Sequence, residues 1–558
     1  TGIPNLFGSL AVLGPWRYVL IPAVGGIFVG IYVMLSYEEV AGHGTDRTLE
    51  ALLVKGGHIE TPIAFHKIIA SAVAIASGGS LGREGPIVQI GSAVGAYFSR
   101  FVHSRYRRIL VAAGAGAGIA GTFNAPLAGL LFAIEVLLVE YEIRSLIAIG
   151  IASAMAVVVA RPLLGYSAVL GTMQFQPSHP LHVVDPLVEY PLYIVLGLIA
   201  SVVGSLEVTT LYGVDDFFER LDLPYWVKPG IGGALLGGTI LIAAYMSHMS
   251  NVSAGGWLFG VGYGTIHAAV TSKFTLGVLL LFAVMKIVGF ALSIGSGSSG
   301  GVFSPSLFIG TMVGGAFGLL VQGIPGTASP AAYALVGMAG VFAATARAPL
   351  TATLITVELS GQYTLILPLI IVCVLGSEIT DTFTLNGTIY TEALNRMGYD
   401  IHNRRIGSIE DFAPSDVMTP AAELETVTPG TPARDAIQTL SNTSQRALPV
   451  VEDGRLQGII TPTDFTRMLE GGSEVAAVAA ATTLSTTEQL QKCDDMVVED
   501  VETREVITVL SDSNLLESIH KMETRDVRQI PVVDEDDGLV GMISRQNILH
   551  AYDRSLLK

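Results

Sequence analysis

Cysteine, tryptophan and charge are all scarce in this chain of 558 residues, which holds 2 Cys, 3 Trp and only 14% charged residues. Cys373 stands in an apolar stretch and Cys493 in a polar one, so the pair offers neither a disulfide framework nor a thiolate metal site. Basic residues are outnumbered, 31 Lys+Arg against 48 Asp+Glu for a net charge of −17. That deficit excludes the basic patches nucleic acid requires. Residues 1–14 lack the charged n-region and cleavage site of a secretory signal, and without an initiator Met the start is expected to be trimmed.

Hydrocarbon is what the chain has in plenty. Half of its residues are hydrophobic and the mean hydropathy is +0.56, which points to a polytopic membrane protein with something soluble attached. Charge locates the join. Residues 406–558 carry 27 Asp+Glu and 12 Lys+Arg, net −15, which leaves 21 and 19, net −2, for residues 1–405. The expected division is a membrane domain over 1–405, a soluble module over 406–470, an Ala/Thr/Ser-rich linker over 471–495 and a second module over 496–558.

Residues 16–35 have the length that spans a bilayer. Later apolar runs at 307–317, 331–344, 350–357 and 365–375 are too short to span alone, and Gly and Pro interrupt them. Such segments are the mark of broken helices around a site at the membrane midplane. Clusters at Lys55, His58, His66 and Lys67, and at Arg100, Arg105, Arg107 and Arg108, place two loops on the cytoplasmic side.

The sharpest feature is Gly82-Arg83-Glu84-Gly85-Pro86, which sets one carboxylate inside the membrane. A charge there is costly, and an intramembrane Glu is a functional site by default. The glycines admit a close backbone, and Pro86 suits the first turn of a helix, so the motif predicts a helix start with unpaired amides and positive partial charge. An internal repeat answers it. Ala125-Pro126-Leu127, Leu131 and Glu135 recur 223 positions later as Ala348-Pro349-Leu350, Leu354 and Glu358, while Pro86 recurs at Pro305 in Gly301-Val302-Phe303-Ser304-Pro305. Paired breaks in two halves point to a transport site, although the spacing alone leaves inverted and parallel repeats open. Gly295-Ser296-Gly297-Ser298-Ser299-Gly300 fits a dinucleotide fingerprint, but it follows a membrane-length run, so it reads as a loop feeding the second helix start. Glu84 is either a static cap on backbone amides or a carboxylate that competes with an anion for them and swings away when protonated. For Lys67 and Lys286, snorkelling to an interface and attraction of anions stand side by side.

These residues resemble the CLC chloride channels and transporters. The resemblance covers about residues 16–397 and rests on GREGP at Gly82, GSGSSGGVFSP ending at Pro305, FNAPLAGLLFAIE from Phe123, ARAPLTATLITVE from Ala346 and the late Tyr390. It implies a polytopic α-helical membrane protein with the inverted-repeat CLC fold and broken helices, assembled as a homodimer in the lipid bilayer of the cell membrane with one chloride pore per subunit. Glu84 would be the gate. The implied anion-binding set is His43, Gly44, Arg83, Gly85, Val302, Phe303, Ser304 and Tyr390. A further helix would precede residue 16.

Two departures from the family pattern matter. His43, in Gly42-His43-Gly44-Thr45-Asp46, places an imidazole where a hydroxyl usually contacts the anion. The ring either donates an N–H to the anion or turns away to a backbone partner. Val136 follows Glu135 where proton-coupled members place an internal Glu, so the proton relay position is lost, with His43 or Glu140 as substitutes. The expectation is a chloride channel gated by Glu84, with a proton-coupled chloride exchanger as the alternative. A divalent-cation transporter would need intramembrane carboxylates, and an enzyme would need a nucleophile with its base; neither is apparent.

The soluble tail repeats too. Leu448-Pro449-Val450-Val451 leading to Thr461 and Asp464 matches Ile530-Pro531-Val532-Val533 leading to Ser544 and Asn547. It resembles a cytoplasmic α/β tandem pair of CBS modules, in which Thr461, Asp464, Ser544 and Asn547 would contact an adenine nucleotide such as ATP or AMP. A short polar side chain at a helix start is equally an ordinary N-cap. No other cofactor and no metal is expected.

Overall fold

The computed structural model describes residues 11–102, 106–138, 142–165, 185–247, 257–271, 273–383, 387–397, 412–443, 445–464 and 496–548. They fall into two compact units, one over residues 1–52 and 57–402 and the other over 53–56 and 403–558. The linker over 471–495 and Glu140 lie outside the described residues.

The first unit is helical: α1 Arg17–Leu35, α2 Thr45–Leu53, α3 Thr61–Ala76, α4 Glu84–Ser99, α5 Arg107–Phe123, α6 Pro126–Phe132, α7 Ile143–Leu164, α8 Pro186–Arg220, α9 Lys228–Met246, α10 Tyr263–Val270, α11 Leu276–Gly295, α12 Phe303–Val321, α13 Pro330–Ala346, α14 Pro349–Ser360 and α15 Ile366–Phe383. Among the described residues, seven helices are long and apolar enough to cross a membrane. Proline stands in the first turn of α3, α6, α8, α9, α13 and α14, where its missing amide costs nothing.

Two apolar runs that look too short in sequence are longer as helices. The run at 307–317 belongs to the 19-residue α12, and the run at 365–375 belongs to an 18-residue candidate span over Tyr363–Thr380. Glycine does not break α12, because a neighbouring backbone takes the space. A Cβ on Gly314 would lie 2.2 Å from the Tyr333 carbonyl, and one on Gly310 would lie 2.4 Å from that of Gly337, so the glycines let α12 and α13 touch.

The repeat is inverted. Glu135, at the end of the α6 segment, accepts from Leu350 N at 3.0 Å and Thr351 N at 2.7 Å, which begin α14. Glu358, at the end of α14, accepts from Leu127 N at 3.2 Å and Ala128 N at 2.8 Å, which begin α6. Two helices that each cap the other's start with a residue from their own end must run antiparallel. Their preceding turns also match: Asn124 (φ 56) and Arg347 (φ 52), 223 positions apart, both close the previous helix in the left-handed conformation.

The second unit is α/β. Strand β1 Thr419–Pro420, hairpin β2 Leu448–Glu452 and β3 Arg455–Ile460, strand β4 Val509–Leu510, and hairpin β5 Gln529–Val533 and β6 Leu539–Ser544 form sheets of order β1-β6-β5-β4 and β2-β3. The hairpins pair Leu448 with Ile460 and Ile530 with Ile543, and each carries a bulge after its first valine, at Val450/Val451 and Val532/Val533. Helices α16 Ala433–Asn442 and α17 Leu515–Thr524 cover these hairpins, burying Ala433, Ala436, Leu448 and Val450 in one core and Leu515, Met522, Ile530 and Val532 in the other.

Candidate functional site

Four helix starts meet inside the first unit. Gly82 and Gly301, ahead of α4 and α12, exchange two backbone hydrogen bonds of 2.7 and 2.6 Å. Outside that pair the pattern repeats: Gly42 N donates to Ser298 O at 3.1 Å and Gly260 N to Gly79 O at 3.1 Å, ahead of α2 and α10. The approach is closer than any side chain allows, since a Cβ on Gly85 would sit 2.0 Å from the His43 carbonyl. The first amides of each helix have no intrahelical acceptor, so the junction gathers N–H groups and positive partial charge. These are the elements that bind an anion.

Glu84 is buried at this junction. Its Oε1 accepts from Tyr263 Oη at 2.7 Å and Ser304 Oγ at 2.5 Å, and those two hydroxyls lie 2.9 Å apart. Its Oε2 is buried with no hydrogen-bond partner among the described residues. Amides were the expected partners of Glu84, and hydroxyls hold it instead. Ser304, expected to meet the anion, touches Glu84. Tyr263 is not apparent from sequence as a site residue, although it starts α10 and is the repeat counterpart of Thr45, 218 positions earlier. Arg83 is part-exposed, its Nε 3.9 Å from Glu84 Oε1 and its guanidinium 5.4 Å from the Tyr263 ring centroid.

His43 is buried, and of the two readings the sequence left open the backbone contact is the one seen. Its Nδ1 faces the Asp46 amide at 3.4 Å, a backbone partner, while Nε2 is buried without one. The Asp46 carboxylate Oδ1 lies at the same 3.4 Å from Nδ1, so both the amide and the carboxylate of Asp46 face that side of the ring. The ring packs on Tyr390 at 5.9 Å, and Phe132 touches both Tyr390 (6.2 Å) and Phe303 (6.4 Å). Gly44, Gly85, Val302 and Phe303 thus lie on the helix starts, with His43 and Tyr390 beside them. A cavity of about 610 Å³ reaches Gly42 and His43, and its wall includes Arg47, Asp215 and Arg396.

Neither lysine snorkels. Lys67 and Lys286, 219 positions apart, are fully buried in α3 and α11. Lys67 Nζ donates to the Val40 and Gly42 carbonyls at 2.9 and 3.0 Å, ahead of α2. Lys286 Nζ donates to Gly260 O at 2.9 Å, ahead of α10. An ammonium costs roughly 2.5–3.5 kcal/mol at the bilayer centre. Charged hydrogen bonds return about 1.5–3 kcal/mol each, enough to hold it as a clamp on the loop that feeds a helix start. Lys67 is therefore part of α3 rather than of the basic loop before it.

Val136 is buried in a π-helical turn, Ala133–Leu138, and offers no proton carrier. Glu135 beside it is committed to the start of α14.

In the second unit, Thr461 N and Oγ1 donate to Asp464 Oδ2 at 2.8 and 2.6 Å, and Thr503 Oγ1 donates to Asp464 Oδ1 at 3.1 Å. Ser544 N donates to Asn547 Oδ1 at 2.9 Å, and Asn547 N donates back to Ser544 Oγ at 3.2 Å. Both pairs act as caps. Ser544 and Asn547 also line a cavity of about 380 Å³ with Glu423, Gln445 and Gln546, and no Lys or Arg is among its lining residues.

A paired break, an inverted repeat and a carboxylate at converging helix starts define a membrane anion transporter. Residues 25–381 match the family model described as voltage gated chloride channel, and residues 415–471 and 498–554 match that of the CBS domain. The chain belongs to the voltage gated chloride channel, or CLC, family. It is 30% identical over 400 residues to a putative chloride channel protein ClcB-like of Ralstonia nicotianae, covering 70% of this chain and 89% of that one. It is 34% identical to the H(+)/Cl(−) exchange transporter ClcA of Vibrio parahaemolyticus, covering 69% and 81%. The structure of a slow cyanobacterial Cl−/H+ antiporter matches with a TM-score of 0.60 at 27% identity, covering 71% and 90%.

Proposed function

We propose that this chain exchanges chloride for protons, with Glu84 as the gate. The observation that carries the reading is Glu84 itself, a carboxylate seated among four helix starts and held by the Tyr263 and Ser304 hydroxyls. Hydroxyls donate as well to chloride as to a carboxylate, so the anion and Glu84 compete for one place. For the carboxylate to leave, its charge must be neutralised by a proton, and that requirement couples the two ions. The names of the Vibrio relative and the cyanobacterial structure support the exchange reading.

Val136 favours a second reading, the uncoupled chloride channel expected from sequence, because it removes the usual internal carboxylate. Reconstituted vesicles with an outward chloride gradient separate the two. Proton movement in fixed ratio to chloride supports the exchanger, and chloride flux with none establishes the channel. On the same resemblance we assign a homodimer in the cell membrane, with the CBS pair cytoplasmic and the Ser544–Asn547 cavity its adenine nucleotide site.

A further inference from the structure

Glu207 is another intramembrane carboxylate. It lies within α8, fully buried, on the same helix face as Leu211 and Asp215, because residues four apart stack on one side. Leu211, Tyr212 and Asp215 line the cavity that reaches His43, so Glu207 sits one helical turn, about 6 Å of rise, from the cavity wall at Leu211. Its Oε1 accepts from Ser306 Oγ at 2.7 Å, and its Oε2 is buried without a hydrogen-bond partner among the described residues. Ser306 is in the first turn of α12, as is Ser304, which holds Glu84. One helix start therefore carries a carboxylate on either side.

A purely structural role explains this poorly. Ser306 Oγ can satisfy itself on the Val302 carbonyl at 3.1 Å, and Gly204, one turn before Glu207, already brings α8 against Ala344 and Thr345. An apolar residue would fill the position without burying a charge. Lys286 of α11 is the charged group within electrostatic reach, and its ammonium is taken up by Gly260 O. From α13 comes Thr345, 3.5 Å from Ser306, and the Tyr390 phenol lies within electrostatic reach of both Glu84 and Glu207.

We propose that Glu207 is the proton site that serves Glu84 from the cavity side, in place of the carboxyl that Val136 lacks. A hydronium in the cavity gives its proton to Glu207 and leaves water. The neutral acid then passes that proton to the seated Glu84 carboxylate, whose neutral form yields its place to chloride, and Glu207 returns to its anionic form. The assignment rests on the exchanger reading above.

The test uses the full chain in vesicles, with chloride efflux and proton uptake recorded together, and infrared difference spectra of the same samples. Wild type should move protons, and E207Q, which keeps the acceptor for Ser306, should retain chloride efflux while its proton-to-chloride ratio falls at least tenfold. E207D should recover coupling. The carboxylic C=O band that titrates in wild type should be missing from E207Q. Wild-type coupling in E207Q overturns Glu207 alone and leaves the exchanger standing. Absence of coupling in wild type overturns both. If E207Q does not assemble, S306A decides, since unaltered coupling and an unshifted carboxylic band in that variant refute the assignment.

Discussion

Glu135 and Glu358 each cap the first turn of the helix that carries the other. Both carboxylates are thereby spent on architecture, which is why the carboxyl next to Val136 is not free to carry protons. Replacing Glu135 with Ala removes two charge-assisted bonds to backbone amides and one from Thr351 Oγ1. The expected cost is on the order of 3 kcal/mol, since bonds to charged groups contribute about 1.5–3 kcal/mol each and water replaces some. Thermal melting in detergent should show E135A and E358A shifted alike, with coupling in the surviving protein unchanged. A coupling defect without a stability defect would reassign Glu135 to transport.

Glu84→Gln mimics the protonated carboxyl while keeping an oxygen for Tyr263 and Ser304. Chloride efflux should persist, its pH response should flatten and proton movement should stop. Efflux with the pH response of wild type would refute Glu84 as the gate. Tyr263→Phe removes one of the two hydroxyls that hold the carboxylate, so chloride efflux from vesicles should be faster than in wild type.

His43 Nε2 is buried without a hydrogen-bond partner among the described residues, and on the proposed function it donates to chloride while Nδ1 stays beside Asp46. An N–H to a charged acceptor contributes about 1.5–3 kcal/mol, so His43→Ala should weaken chloride binding roughly 10- to 100-fold by calorimetry. His43→Ser returns a hydroxyl and should restore part of it. Equal chloride affinity in H43A would show that the ring only packs against Tyr390.

Much of this was legible in residues whose chemistry is local. Gly82 to Pro86 and its partner ending at Pro305 marked two helix starts because Gly and Pro dictate backbone conformation wherever they fall. What stayed hidden was long-range. Tyr263 reaches Glu84 across 179 positions, and Glu207 reaches Ser306 across 99; a tyrosine and a glutamate in apolar surroundings advertise nothing until the fold chooses their neighbours. The lysines stayed open for a related reason. In an apolar run a lone Lys reads equally as snorkelling or as attracting anions, whereas Lys67 and Lys286 find carbonyls freed by the helix breaks beside them. The direction of the repeat was likewise out of reach, since equal spacing describes parallel and inverted halves alike, and only the crossed caps of Glu135 and Glu358 distinguish them.

In the CBS pair the two candidate ligand sets differ in what already occupies them. Asp464 accepts from Thr461 and Thr503 and is almost buried, whereas Ser544 and Asn547 border an open cavity. Removing Asp464 as Ala should therefore cost stability, about 0.5–2 kcal/mol as for other N-caps, and leave nucleotide heat unchanged. The cavity beside Ser544 has Glu423 in its wall and no cation among its lining residues, so a phosphate gains nothing there. Adenosine should then bind as well as AMP, both in the millimolar range, and Glu423→Lys should favour AMP over adenosine. Should D464A abolish the heat of AMP without lowering the melting temperature, Asp464 is the ribose ligand and the cavity at Ser544 is not the site. Absence of heat from wild type at millimolar ATP, AMP and adenosine removes the nucleotide from the protein altogether.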